Sequence, residues 1–218
     1  MRWIRYGPNA VLITFADEVN DEAFQRGRAL AAELEQRPPD GLIEFLPAFT
    51  TLLLEFEPRT VPNLEVAAVE LMPRLKAALA AVTPPAPIKE IPVRYDGEDL
   101  ENVARLHELT TMEVAERHAA PIYKVYMLGF APGFPYLGEL DPRLHTPRLA
   151  APRPRVRAGS VAIGGEHTGI YSVESPGGWN IIGHTTTKLF DPARRENAIF
   201  FLHAGDRVKF VPERRRSR

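Results

Sequence analysis

The chain has 218 residues, 44% of them apolar, enough for one large domain or two small ones with a real core. A formal net charge of −1 gives no global field to gather nucleic acid or an anionic membrane, and the absence of cysteine excludes disulfides, thiolate nucleophiles and thiolate metal sites together. No apolar run approaches the roughly 20 residues of a membrane span, so the expectation is a soluble cytoplasmic protein with no nucleic-acid or membrane partner.

In chain order, residues 10–15 (AVLITF) read as a strand. Asn20 then caps a helix whose apolar positions Ala23, Gly27, Leu30, Ala31 and Leu34 recur at helical spacing, and which stops before Pro38. Residues 43–46 and 51–56 read as strands around Pro47, the second alternating Leu52, Leu54 and Phe56 onto one face. Asn63 caps a second helix running toward Val82, with Val66, Val69, Met72 and Leu79 inward and a kink at Pro73. This β-α-β-β-α order resembles a ferredoxin-like α+β unit. Residues 83–87 (TPPAP) carry no core-forming pattern and separate a domain of residues 1–86 from one of 87–218.

Beyond that boundary, residues 88–95 read as a strand and 99–107 as a short helix, and Thr110 with Glu113 forms a capping box opening a helix to Ala119. A strand over 122–128 leads into MLGFAPGFPYL at 127–137, where glycine, proline and aromatics alternate without a strand or helix period. From Gly159 the texture changes to short strands with frequent turn signals, expected at 160–163, 169–173, 179–182, 199–202 and 207–211, the spacing of a small barrel or sandwich. SPGGWNIIGHT at 175–185 repeats the character of the first loop.

Several chemistries are absent: there is no GxxxxGK[ST] phosphate loop, no GxGxxG after a strand, no HExxH and no GxSxG elbow. His167, His184 and His203 match no metal-ligand spacing, so no metal site is expected. In HTPRLAAPRPRVRAG at 145–159 the arginines are separated by prolines; they form either a solvated connection or an anion site, with Arg148 and Arg153, each directly after a proline, the best-fixed pair. Gly177 and Gly178 are either a hairpin turn or a concave run of backbone N–H groups suited to an oxyanion or phosphate.

The successive segments GFAPGFPYLGEL, PR…PR, AGSVAIGG, TGIY, SPGGWNIIG, LFDP and AGDRVKF, in that order, resemble the motifs of the 5-oxoprolinase B-subunit family, also called the sporulation-kinase-inhibitor or allophanate-hydrolase-subunit-1 family. His167 stands where that family leads one to expect glutamine, and His184 where arginine or lysine is expected. The resemblance implies an α+β fold, a ferredoxin-like N-terminal domain followed by a cyclophilin-like β-barrel. It also implies one part of a hetero-oligomeric enzyme which, with 5-oxoprolinase subunits C and A, opens 5-oxo-L-proline to L-glutamate using ATP, with Mg as its companion ion. On that reading Arg148 and Arg153 hold a carboxylate or phosphate, the Gly177 and Gly178 amides face an oxyanion, and His184 with Thr185 completes the polar, catalytic lining. Phe130, Pro132, Gly133, Phe134, Tyr136 and Trp179 shape the pocket wall or a subunit contact. The competing reading from the same family is an inhibitor that binds a sensor histidine kinase; a proline-directed isomerase is a further one.

Overall fold

The computed structural model describes residues 1–80, 86–194 and 198–213. The expected boundary at 83–87 and the basic tail at 214–218 lie mostly or wholly outside them. Contacts divide the chain into Met1–Pro85 and Ala86–Arg218, each with its own core.

In the first unit, β1 (Arg2–Arg5), β2 (Ala10–Thr14), β3 (Leu42–Pro47) and β4 (Thr51–Phe56) form an antiparallel sheet in the order β1-β2-β4-β3. Helices α1 (Asp21–Gln36) and α2 (Leu64–Ala78) complete it. Alternation puts Val11, Ile13, Leu52, Leu54 and Phe56 on the buried face, where they join Leu30, Leu34, Leu71 and Leu75 from the helices in one core. Both caps form as the sequence suggests: the Asn20 side chain accepts from the Ala23 N–H at 2.9 Å and Asn63 from that of Val66 at 3.1 Å.

Two expectations fail here. The strand β1 was not anticipated, because its charged, mostly exposed residues show no alternation of apolar side chains. In α2 the buried stripe is Leu64, Ala68, Leu71, Met72 and Leu75, whereas Val66 and Val69 are 50% and 59% exposed. The leucine stripe buries more apolar area than the valines would, and it sets the rotation of the helix. Pro73 sits inside α2, which runs on to Ala78.

The second unit is built on a seven-stranded sheet in the order β12-β9-β10-β7-β6-β13-β5. Its strands are β5 (Ile88–Val93), β6 (Ile122–Leu128), β7 (Pro135–Gly138), β9 (Ser160–Gly164), β10 (His167–Ile170), β12 (Asn180–His184) and β13 (Arg207–Pro212). Only β5 and β13 run parallel. A separate ribbon pairs β8 (Arg153–Val156) with β11 (Ser175–Gly177), and α3 (Leu100–Leu106) and α4 (Thr111–Ala119) complete the unit. The sheet curls until its edges meet: just past β5, Arg94 pairs with His184 at the end of β12 through two backbone hydrogen bonds of 2.8 and 2.9 Å. The whole is a mixed α/β architecture with a curled, partly closed sheet.

The capping box forms, with the Glu113 carboxylate accepting from the Thr110 N–H at 2.8 Å and Thr110 Oγ1 accepting from the Glu113 N–H at 3.2 Å. No strand forms over 199–202; Phe200 makes a lone bridge to Phe190, their rings stacked at 5.4 Å. The two glycine-proline-aromatic stretches are not purely loops: the first holds the end of β6 and most of β7, and the second contains β11 and β12.

Candidate functional site

The turn at 129–134 between β6 and β7 is closed by hydrogen bonds from the Gly129 N–H to the Phe134 carbonyl at 3.1 Å and from the Phe134 N–H to the Ala131 carbonyl at 3.0 Å. Ser172 Oγ pins its outer side by donating to the Pro132 carbonyl at 2.6 Å. Phe130 takes φ +68°, a left-handed conformation costing a non-glycine residue roughly 1–2 kcal/mol. Its ring is nonetheless 62% exposed, so the conformation does not serve burial.

The second stretch arrives from β11. Gly177 has no room for a side chain, since a Cβ there would stand 2.1 Å from the Tyr171 hydroxyl, and the Trp179 ring lies across Gly164 of β9. Phe134 becomes the hub of a cluster, its ring centroid 5.2–5.5 Å from those of Tyr136, Tyr171, Trp179 and Phe130, each in an edge-to-face arrangement.

These rings wall a cavity of about 350 Å³, completed by Leu149, Pro152, Pro176, Gly177, Gly178 and Arg148. The Arg148 guanidinium lies 5.7 Å from the Trp179 ring centroid. It is exposed and forms no ion pair among the described residues, so its two-pronged donor face remains available to an anion. An aromatic enclosure with a single uncommitted cation suits a small, flat, apolar body carrying a carboxylate or phosphate.

Of the residues singled out in the sequence, Phe130, Phe134, Tyr136, Arg148, Gly177, Gly178 and Trp179 meet at this cavity. Pro132 and Gly133 do not line it; they shape the turn, with Gly133 at φ +73°. Arg153 is a correction: its guanidinium is bound to the chain's own acids, Nη2 to Asp99 Oδ1 at 2.7 Å and Nε to Glu98 Oε1 at 3.1 Å, so it is not the partner of Arg148 in an anion clamp. Its charge is already paired within the chain.

His184 and Thr185 are a second correction. They lie outside the cavity lining, His184 at the far end of β12 where it bridges Arg94. His184 Nδ1 bonds Asp96 Oδ1 at 2.8 Å, and Arg94 pairs with the other oxygen of Asp96. Partial burial would raise the Asp96 carboxyl, but the hydrogen bonds from His184 and Arg94 outweigh it and hold the group below its ordinary range. Thr185 Oγ1 accepts from the Thr187 N–H at 3.1 Å.

Sequence reasoning missed Tyr171, Leu149, Pro152 and Pro176 in the lining, and Asp96 and Asp99 in the polar network. Asp99 read only as the first residue of a short helix, yet its carboxylate makes no cap bond and reaches Arg153 and the Ile181 N–H instead, both at 2.7 Å. No local signal marks such pairs, because the partners are 54 and 82 residues apart.

Residues 1–201 match the family described as "Carboxyltransferase domain, subdomain C and D". A protein of Bacillus subtilis (strain 168), named as the B subunit of 5-oxoprolinase, is 41% identical, the alignment covering 94% of this chain and 90% of that one. The crystal structure of TTHA0988 superposes with a TM-score of 0.83 at 42% identity, covering 94% of this chain, which spans 40% of that longer one. The K. lactis urea amidolyase shares the fold, with a TM-score of 0.69 at 20% identity over 97% of this chain and 15% of its own. With a family match spanning both units and a full-length relative above 40% identity, the chain belongs to the 5-oxoprolinase B-subunit family.

Proposed function

We propose that the chain is the B subunit of an ATP-dependent 5-oxoprolinase, a cytoplasmic complex with subunits C and A that converts 5-oxo-L-proline to L-glutamate with ATP hydrolysis, and that it is inactive alone. The observation that carries the reading is the aromatic cavity with Arg148 as its uncommitted cation, found in a chain of this family. 5-Oxoproline is a flat five-membered lactam bearing one carboxylate. In this reading Arg148 takes the carboxylate, while Phe134, Tyr136 and Trp179 hold the ring and exclude water. ATP with Mg²⁺ is the co-substrate of the assembled complex and supplies the phosphoryl group that turns the unreactive lactam oxygen into a leaving group. Gly177 and Gly178, small and at the lining, let the ligand approach the backbone.

The finer architecture belongs to the same reading. The order β1-β2-β4-β3 is read as a ferredoxin-like sheet whose edge strand comes from the N-terminus rather than from after the second helix. The curled sheet of the second unit, its edges meeting at Arg94 and His184, is read as a cyclophilin-like barrel.

The test is reconstitution with subunits C and A and measurement of 5-oxoproline-dependent ATP hydrolysis. Arg148→Ala should raise the KM for 5-oxoproline by about 10- to 100-fold, the loss of one charge-assisted pair. His184→Ala, away from the cavity, should leave that KM within about twofold, a change worth ~0.4 kcal/mol. An unchanged KM in Arg148→Ala would remove the assigned role of Arg148.

A further inference from the structure

Tyr171 is 2% exposed, yet it lines the cavity beside Gly177. A buried phenol needs partners for both its lone pair and its proton. The proton has no acceptor among the described residues.

We propose that the Tyr171 hydroxyl is a hydrogen-bond donor to the cavity's ligand, donating to the amide oxygen of a small cyclic amide whose carboxylate rests on Arg148. The inference rests on the function proposed above and deepens it by naming the group that selects a lactam from other ring carboxylates. Two features suit Tyr171 to the role. Its ring is fixed, packed edge-to-face on Phe134 at 5.3 Å and pressed against Gly177. Burial raises its acidity threshold, against the opposing influence of Trp179, Arg148 and Arg153, so it stays protonated and serves as a donor rather than a base. As charge builds on the lactam oxygen, a prealigned donor holds it more tightly than the ground state.

The experiment uses the assembled complex carrying wild-type or Tyr171→Phe chain, with 5-oxo-L-proline as substrate. Cyclopentanecarboxylate, the same ring size without the amide, serves as a competitive inhibitor. Tyr171→Phe keeps the ring packing, so kcat/KM for 5-oxoproline should fall about tenfold or more while the Ki of cyclopentanecarboxylate moves less than about twofold. Replacing Tyr171 by 3-fluorotyrosine, whose hydroxyl is the stronger donor, should lower the KM. Equal losses for both ligands, or no loss for 5-oxoproline, overturn the role of Tyr171 and leave the proposed function standing. A wild-type complex without 5-oxoproline-dependent ATP hydrolysis overturns the proposed function and this inference with it.

Discussion

Asp99→Ala is expected to destabilise the second unit by about 3–5 kcal/mol, because it removes the carboxylate from a buried charge pair and leaves the other member behind. Both oxygens of Asp99 are committed, one to Arg153 and the other to the Ile181 N–H of β12. Arg153 is 24% exposed, and its Nη1 already has no hydrogen-bond partner. Without Asp99 the guanidinium would keep only Glu98, itself 60% exposed and therefore a weak, solvent-screened partner. Asp99→Asn should cost less, since its amide oxygen still accepts one of the two bonds. Urea unfolding followed by Trp179 fluorescence in a Trp3→Phe background reads the second unit alone, as these are the only two tryptophans. An Asp99→Ala midpoint equal to the parent's would show that the pair contributes nothing. Because Arg153 and Ile181 sit on the elements next to the cavity wall, the same variant should also loosen the cavity.

The second large effect is acid destabilisation through His118. This imidazole is fully buried in the second unit's core, stacked on Phe210 at 4.6 Å. Its tautomer follows from its neighbours. The Thr168 hydroxyl spends its proton on the Ala162 carbonyl at 3.0 Å, so it accepts from His118 Nε2–H at 2.8 Å, and His118 Nδ1 accepts from the Tyr95 hydroxyl at 2.7 Å. A second ring proton has no acceptor waiting, and burial pushes the His118 pKa down to about 3.

The unfolded chain, with histidine near 6.5, therefore binds a proton between pH 6.5 and 3 that the folded chain refuses, and stability falls as pH falls through that window. At pH 5 the loss is about 2 kcal/mol, from ~1.5 pH units at 1.36 kcal/mol each. Above pH 6.5 both states hold a neutral ring and the contribution is flat. His107 and His167 are also lowered, each chiefly by burial, and add in the same direction. His118→Gln isolates the residue: its unfolding midpoint should be lower than wild type at pH 8 but fall less between pH 8 and 5. Parallel pH profiles for the two proteins would contradict the assignment.

Local patterns carried much of the fold. The Asn20 and Asn63 caps, the Thr110 and Glu113 box, and the alternation of Leu52, Leu54 and Phe56 each depend on residues within a few positions of one another. The failures share the opposite property. Strand β1 is held by pairing with β2 rather than by its own composition, and the rotation of α2 is chosen by the core it meets. Residues 199–202 have strand-like composition but find no neighbouring ladder beyond the single bridge of Phe200 to Phe190. Composition marks a strand only when a neighbour accepts its hydrogen bonds.

The same division runs through the site. By itself the sequence determined the family, through ordered motifs spread over the chain, and it picked out both aromatic-rich stretches and Arg148, because rigid glycine-proline backbones with large rings are costly without a task. Only the tertiary structure decided which cations remain free. Arg148 and Arg153 stand in the same proline-spaced segment, yet Asp99 neutralises one and the other lies over Trp179. It likewise separated His184 from the cavity and brought Tyr171 into it. Charge pairing and burial are set by residues far apart in the chain, and free energy in a folded protein depends on those spatial neighbours.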